Sequence, residues 1–221
     1  MFAYDIYEPI DRKVEDKFPT IFTLHGIGAD ELDMPGTLEP VMDRFVIVSI
    51  RGSVQQGPGY SYYKPVLDGE PSEKTVSYAA NNVHEFIEMI LKQYSSIDRK
   101  KLYLFGFDQG GIVAMTEFVK NGGMYHGGVF LSVKLPTFLE NGPKNLLLKS
   151  KRIFIGHGTK DPLIPVTEGE RTAKYFESLS DDVTFQTFDV MHNVSEEESE
   201  TILEWFLKEE VDNPTVKKEN S

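Results

Sequence analysis

The segment Gly106-Phe107-Asp108-Gln109-Gly110 has the pattern of a nucleophile elbow with a carboxylate at its centre. Lys101 to Phe105 reads as a buried strand running into it, and Gly111 to Met115 as the start of a helix leaving it. Small residues on either side of such a strained turn keep the central side chain exposed, as in G-x-S-x-G. A serine there gives its proton to a histidine and attacks an ester carbonyl. A carboxylate has no proton to give. Its attack on an ester carbonyl forms a mixed anhydride while expelling a much poorer leaving group, whereas it attacks saturated carbon well.

Three further motifs follow strand-like runs. Leu24-His25-Gly26-Ile27-Gly28 has the glycines that let a backbone turn tightly and aim N–H groups outward, as an oxyanion hole needs. His157-Gly158-Thr159-Lys160-Asp161-Pro162-Leu163-Ile164-Pro165 offers an acid that can orient a histidine, in a loop stiffened by two prolines. Met191-His192 comes last, before a capped helix. Singly these signals are weak: an aspartate before proline is commonly a turn residue, and a loop histidine is commonly a surface residue. Of the other histidines, His25 and His157 read as turn residues bonded locally, and His84, on a helical segment, as a plain surface or flanking residue. The force lies in the conjunction, because the order nucleophile, acid, histidine is that of the α/β-hydrolase fold.

The elements that must hold these motifs alternate between strand and helix, which predicts a mostly parallel central sheet with helices on both faces. Strands are expected at 18–24, 45–50, 102–105, 128–131, 152–155 and 183–188. Val76, Ala79, Ala80, Val83, Phe86, Ile87, Ile90 and Leu91 form an amphipathic stripe on a helix over 76–93. Helices over 167–179 and 195–208 open with Thr167-x-x-Glu170 and Ser195-x-x-Glu198, both of capping-box form. The irregular stretches 51–74 and 133–149 are the expected walls of a substrate site at the carboxyl ends of the strands. One domain spans 1–210, with a polar tail over 211–221.

The composition narrows the partners. Thirty-five acidic against 23 basic residues give a charge of −12, which disfavours nucleic acid and anionic membrane surfaces. No apolar run reaches the roughly 20 residues of a membrane span. The first residues lack the pattern of a signal peptide. With no cysteine, disulfides and thiolate sites are excluded. A cytoplasmic protein with a small-molecule ligand, no metal and no cofactor is expected.

The chain resembles the small carboxylesterase/phospholipase group of α/β-hydrolases, which includes the acyl-protein thioesterase-like esterases, over about residues 18–207. The resemblance rests on His25-Gly26-Ile27-Gly28-Ala29-Asp30, Arg51-Gly52, Gly59-Tyr60-Ser61-Tyr62-Tyr63 and Gly106-Phe107-Asp108-Gln109-Gly110-Gly111. It continues through Leu131-Ser132, His157-Gly158-x-x-Asp161-Pro162 and His192-x-x-Ser195-x-Glu197-Glu198. It implies a capless fold, hydrolysis of small carboxylic esters, a charge relay at Asp108, Asp161 and His192, and oxyanion donors in the N–H groups of Ile27 and Gln109. Two residues depart from the family pattern: Met191, where the family has glycine, and Asp108, where it has serine.

An aspartate at 108 sits at a helix N-terminus, which favours the anion. Its longer side chain can place an oxygen in the oxyanion hole and leave His192 between two carboxylates. Three origins fit: a natural replacement giving weak or altered hydrolysis, a loss of catalysis leaving a binding protein, or an introduced substitution in a serine esterase. Haloalkane dehalogenases and epoxide hydrolases place an aspartate at this position. This chain lacks their cap, has Gln109 where the dehalogenases have a halide-binding tryptophan, and carries its only tryptophan, Trp205, on the terminal helix.

Overall fold

The structure, a computed structural model, describes residues 2–66 and 69–212. Strands β1 (Tyr4–Tyr7), β2 (Phe18–Leu24) and β3 (Val46–Ile50) precede a small hairpin, β4 (Val54–Gln56) and β5 (Gly59–Ser61). Strands β6 (Ile97–Phe107), β7 (Gly127–Leu131), β8 (Arg152–Gly158) and β9 (Asp182–Phe188) complete the set. Seven of them form one sheet in the order β1-β3-β2-β6-β7-β8-β9, parallel except for β1, which pairs antiparallel with β3. The helices are α1 (Pro35–Leu38), α2 (Glu73–Gln93), α3 (Asp108–Asn121), α4 (Thr137–Glu140), α5 (Val166–Glu177) and α6 (Glu196–Asp212). This is the α/β-hydrolase architecture expected from the sequence.

The central strands β3 and β7 are buried at every position and β2, β6 and β8 over most of their carboxyl-terminal length, so they carry apolar residues on both faces. Phe22, Leu24, Val48, Leu104, Phe130 and Ile155 pack with α2, α3 and α5. Their alternates Ile21, Ile47, Tyr103, Phe105, Val129 and Phe154 pack with Leu38 of α1 and Ile202, Trp205 and Phe206 of α6. Trp205 is a core residue, edge-on to Tyr103, Phe154 and Phe206, as its place on the terminal helix suggested.

The helix boundaries bring one correction. No side chain caps α5: it starts at Val166 with Pro165 as N-cap, so Thr167 falls inside the first turn rather than ahead of it. The fixed φ of proline sets the entry instead. Ser195 does cap α6, accepting from Glu198 N–H at 3.1 Å. Ser72 caps α2 in the same way, accepting from Thr75 N–H at 3.2 Å. The tail expected over 211–221 lies outside the described residues from 213 onward, and α6 runs to Asp212.

Gly110 shows how tightly the elbow is packed. A methyl group there runs into the backbone carbonyls of Leu24, at the end of β2, and of His25 just after it. Gly110→Ala is therefore expected to lower unfolding free energy by about 2–3 kcal/mol, read from urea denaturation. An unchanged midpoint contradicts this packing.

Candidate active site

Strand β6 ends at Phe107 and α3 begins at Asp108, whose φ of +50° is left-handed. For a residue other than glycine this conformation is uncommon, and aspartate tolerates it better than most. It throws the side chain up out of the sheet, toward the loops after β2, β8 and β9. The first-turn N–H groups of α3, Gln109 among them, have no carbonyl one turn back to bond, so they favour negative charge at this place.

Asp108 meets two of those loops. Its Oδ2 accepts a hydrogen bond from Ile27 N–H at 3.1 Å. Its Oδ1 lies 3.8 Å from His192 Nε2, too far for a hydrogen bond. His192 Nδ1 lies 2.7 Å from Asp161 Oδ2. A carboxylate only accepts, so Nδ1 carries the proton and Nε2 faces Asp108. Phe107 supports the imidazole from below, with ring centroids 4.8 Å apart.

Asp161 is held more firmly than either partner. Its side chain is fully buried, while those of Asp108 and His192 are 17% and 15% exposed. Oδ1 accepts from the N–H groups of Leu163 and Ile164 at 2.8 and 2.9 Å. Burial alone would raise its pKa, but the Ile164 N–H, the His192 ring and the Leu163 N–H outweigh that and hold it below the ordinary carboxylate range. His157, expected in a turn, is instead a fully buried residue near the end of β8, and its ring does bond locally, with Nε2 2.9 Å from Ile164 O. The acid and histidine loops are joined by Thr159 N–H to Phe188 O at 2.8 Å and Lys160 N–H to Val190 O at 3.0 Å. Met191 has no left-handed φ and projects its side chain outward, 61% exposed, so the position needs no glycine.

The structure thus brings together Ile27, Asp108, Asp161 and His192, with Gln109 next to Asp108 in the first turn of α3. Sequence reasoning missed what the Gln109 side chain does. Nearly fully buried, it accepts from Tyr62 N–H at 2.7 Å and Tyr63 N–H at 3.4 Å, and donates to Tyr63 O at 3.1 Å. An amide within an apolar elbow has to find backbone partners, which was the available signal. These bonds make the Tyr62–Tyr63 stretch one wall of the site. Tyr62 itself is consumed by packing, its hydroxyl donating to Ile50 O at 2.6 Å. Tyr63 is buried, and burial together with the Asp108 charge raises its pKa, which keeps the phenol protonated.

The second expected wall, 133–149, contributes only its beginning. Val133 packs on Gly111, while Asn145 donates to Val119 O at 2.8 Å, near the far end of α3. A cavity of about 450 Å³ between α2, α3 and this segment is lined by residues such as Thr116, Val119 and Leu147, remote from Asp108 in the chain. His84 is not a plain surface residue: its Nδ1 lies 2.8 Å from Oε1 of the fully buried Glu117, which also accepts from the Tyr125 hydroxyl at 2.7 Å. Among the described residues no group of three or more His, Asp or Glu could hold a metal ion.

A buried acid below the histidine loop stands out among the described residues. Glu198 is 2% exposed, its Oε1 is unbonded, and it lies against Gly156 of β8. Burial outweighs the Ser195 backbone hydrogen bond and pushes its pKa up to about 7. Between pH 4.5 and 7 the folded protein therefore holds a proton that the unfolded chain releases, so stability falls as pH rises through this window. Glu198→Gln mimics the protonated acid and is expected to gain about 3 kcal/mol over the native chain at pH 8 but little at pH 4, measured by urea denaturation. Equal stabilities at pH 8 contradict it.

Comparison with known proteins places the chain in a family. The sequence profile described as Phospholipase/Carboxylesterase matches residues 7–209. MhqD of Bacillus subtilis, a putative hydrolase by its description, is 22% identical over 191 residues, covering 84% of this chain and 91% of that protein. Acyl-protein thioesterase 1 of Emericella nidulans is 27% identical over 133 residues, 56% of this chain and 54% of the relative. The crystal structure of the Bacillus cereus carboxylesterase superposes with a TM-score of 0.82 at 24% identity, covering 94% of each chain. Among the described residues no helix is long and apolar enough to cross a membrane.

Proposed function

Since the chain belongs to the phospholipase/carboxylesterase family of α/β-hydrolases, we propose that it is by descent a hydrolase of small carboxylic esters in which Asp108 impairs ordinary ester turnover. The observation that most supports this is Asp108 Oδ2 at 3.1 Å from Ile27 N–H. In serine-type hydrolysis that N–H, with the N–H of Gln109, receives the charge that builds on the carbonyl oxygen. Here it receives the side chain of the residue at the nucleophile position.

Two steps of ester cleavage fail as a result. The ester oxygen must displace a charged, hydrogen-bonded carboxylate before it can enter the donors. The carboxylate then has no proton to pass to His192, and its attack gives an anhydride at the expense of an alkoxide. His192, oriented by Asp161, can still direct a water at a bound ester, which sets a slow residual rate. The test compares p-nitrophenyl acetate and butyrate hydrolysis by the native chain and Asp108→Ser. Turnover gained by the serine variant supports an intact relay around a replaced nucleophile. No gain supports a silent ligand-binding scaffold.

A second reading, alkyl-group transfer, has one observation in its favour. With Oδ2 on Ile27 N–H, Oδ1 is directed toward His192. That orientation suits displacement at saturated carbon, followed by water attack on the resulting ester. Halides lack a partner in the Gln109 amide, which is bonded to the Tyr62–Tyr63 backbone. In His192→Ala the water step stalls, so mass spectrometry after incubation with haloalkanes or epoxides should find an adduct on Asp108. An unmodified chain ends this reading.

A further inference from the structure

The N–H of Ile27 has to point at the site from an exposed turn. Ile27 is 44% exposed, and its peptide belongs to a glycine-rich stretch. What holds it lies beneath. His25, 1% exposed, sits under the turn with both ring nitrogens engaged. Gly52 N–H donates to Nε2 at 2.9 Å, so in the neutral ring Nδ1 carries the proton and donates to Gly26 O at 2.7 Å. Burial pushes the His25 pKa down, which keeps the ring neutral and this donor–acceptor pattern intact. Tyr62 fixes the residue further: its hydroxyl accepts from His25 N–H at 3.2 Å, and the two ring centroids are 5.1 Å apart.

Gly26 O and Ile27 N–H are opposite ends of one peptide unit. Because that unit is planar and trans, fixing the carbonyl fixes the direction of the N–H. Ala29 N–H also reaches Gly26 O, but at 3.4 Å and from within the same turn. We propose that His25 is a positioning residue which, by holding the Gly26 carbonyl through Nδ1–H, aims the Ile27 N–H at the side chain of residue 108. The next residue, Gly28, is tied separately by its N–H to Tyr60 O at 2.8 Å, so the turn is clamped on both sides of this peptide.

The test uses the 15N-labelled full chain and three variants. His25→Asn keeps a donor near the Nδ1 position, His25→Gln keeps an acceptor near Nε2, and His25→Phe keeps only bulk. The Ile27 amide proton should move upfield and exchange faster in His25→Gln and His25→Phe, and return toward its native position in His25→Asn. Amides of Val48 and Leu104 in the central strands serve as the measure of an intact fold. In the Asp108→Ser background, His25→Gln should lower kcat for p-nitrophenyl butyrate about tenfold with KM nearly unchanged, a fraction of what losing an oxyanion donor costs. His25→Asn should recover it. This kinetic arm rests on Ile27 N–H being the oxyanion donor; the NMR arm does not, so an inactive serine variant counts against the esterase reading alone. An Ile27 amide that stays in place in His25→Gln, with the strand amides native, overturns the proposal. So does a loss of kcat that His25→Asn fails to recover.

Discussion

Asp108→Ser is expected to raise hydrolysis of p-nitrophenyl acetate and butyrate about a thousandfold over the native chain. Serine is one bond shorter, so its oxygen withdraws from Ile27 N–H and leaves that donor to the ester. The backbone at 108 is left-handed, φ +50°, which serine adopts less readily than aspartate, so the variant is expected to lose some stability while keeping the elbow. His192 Nε2, 3.8 Å from Asp108 Oδ1, gains a hydroxyl whose proton it can take. Removing a nucleophile from a serine hydrolase costs about a millionfold in kcat. Restoring one in a site adapted to a carboxylate should return about half of that on a logarithmic scale. A folded serine variant with less than about a tenfold gain would contradict the esterase reading.

The second large effect is the loss of that gain through Asp161. Asp161→Asn in the Asp108→Ser background is expected to lower kcat by about 10³–10⁴-fold. Asp161 Oδ2 lies 2.7 Å from His192 Nδ1, and Oδ1 is committed to the Leu163 and Ile164 N–H groups. An asparagine must keep its oxygen on those two donors, so its NH2 faces Nδ1. The imidazole then carries its proton on Nε2 and can no longer accept one from the introduced serine. KM should change little, because the Asp161 side chain is fully buried behind His192. There is a stability signature too. With its folded pKa held below the ordinary range, Asp161 contributes stability that is complete above the unfolded value of about 3.9 and lost as pH falls through the depressed one. The acid limb of the stability curve below about pH 4 should therefore flatten in the variant. A kcat within tenfold of the parent contradicts the assigned role.

Most of the sheet was legible because a strand buried on both faces has few alternatives. Val129-Phe130-Leu131 and Ile153-Phe154-Ile155 have no polar face to present. The first edge strand and the hairpin were not: β1 reads Tyr-Asp-Ile-Tyr, half-buried throughout, and β4 and β5 are three residues each, defined by pairing rather than pattern. The cap of α5 failed for a related reason, since proline and Thr167 both signal a start and only packing decides between them. At the site, the groups that follow strands in chain order were legible from their neighbours. The bonds of Gln109 to Tyr62 and Tyr63 span 47 and 46 positions, and those of His25 to Gly52 and Tyr62 span 27 and 37. No local pattern encodes such distances. His84 illustrates the same limit, because its partner Glu117 lies 33 residues on, on another helix.

The claim that a carboxylate stands where the nucleophile and the oxyanion charge belong is tested most directly by covalent titration with a fluorophosphonate ester, read by intact mass. The native chain should remain unmodified. Asp108→Ser should gain one phosphonyl group per chain, mapped to residue 108 and abolished by adding His192→Ala. An adduct at position 108 of the native chain, or an unmodified serine variant with native stability, would contradict the account.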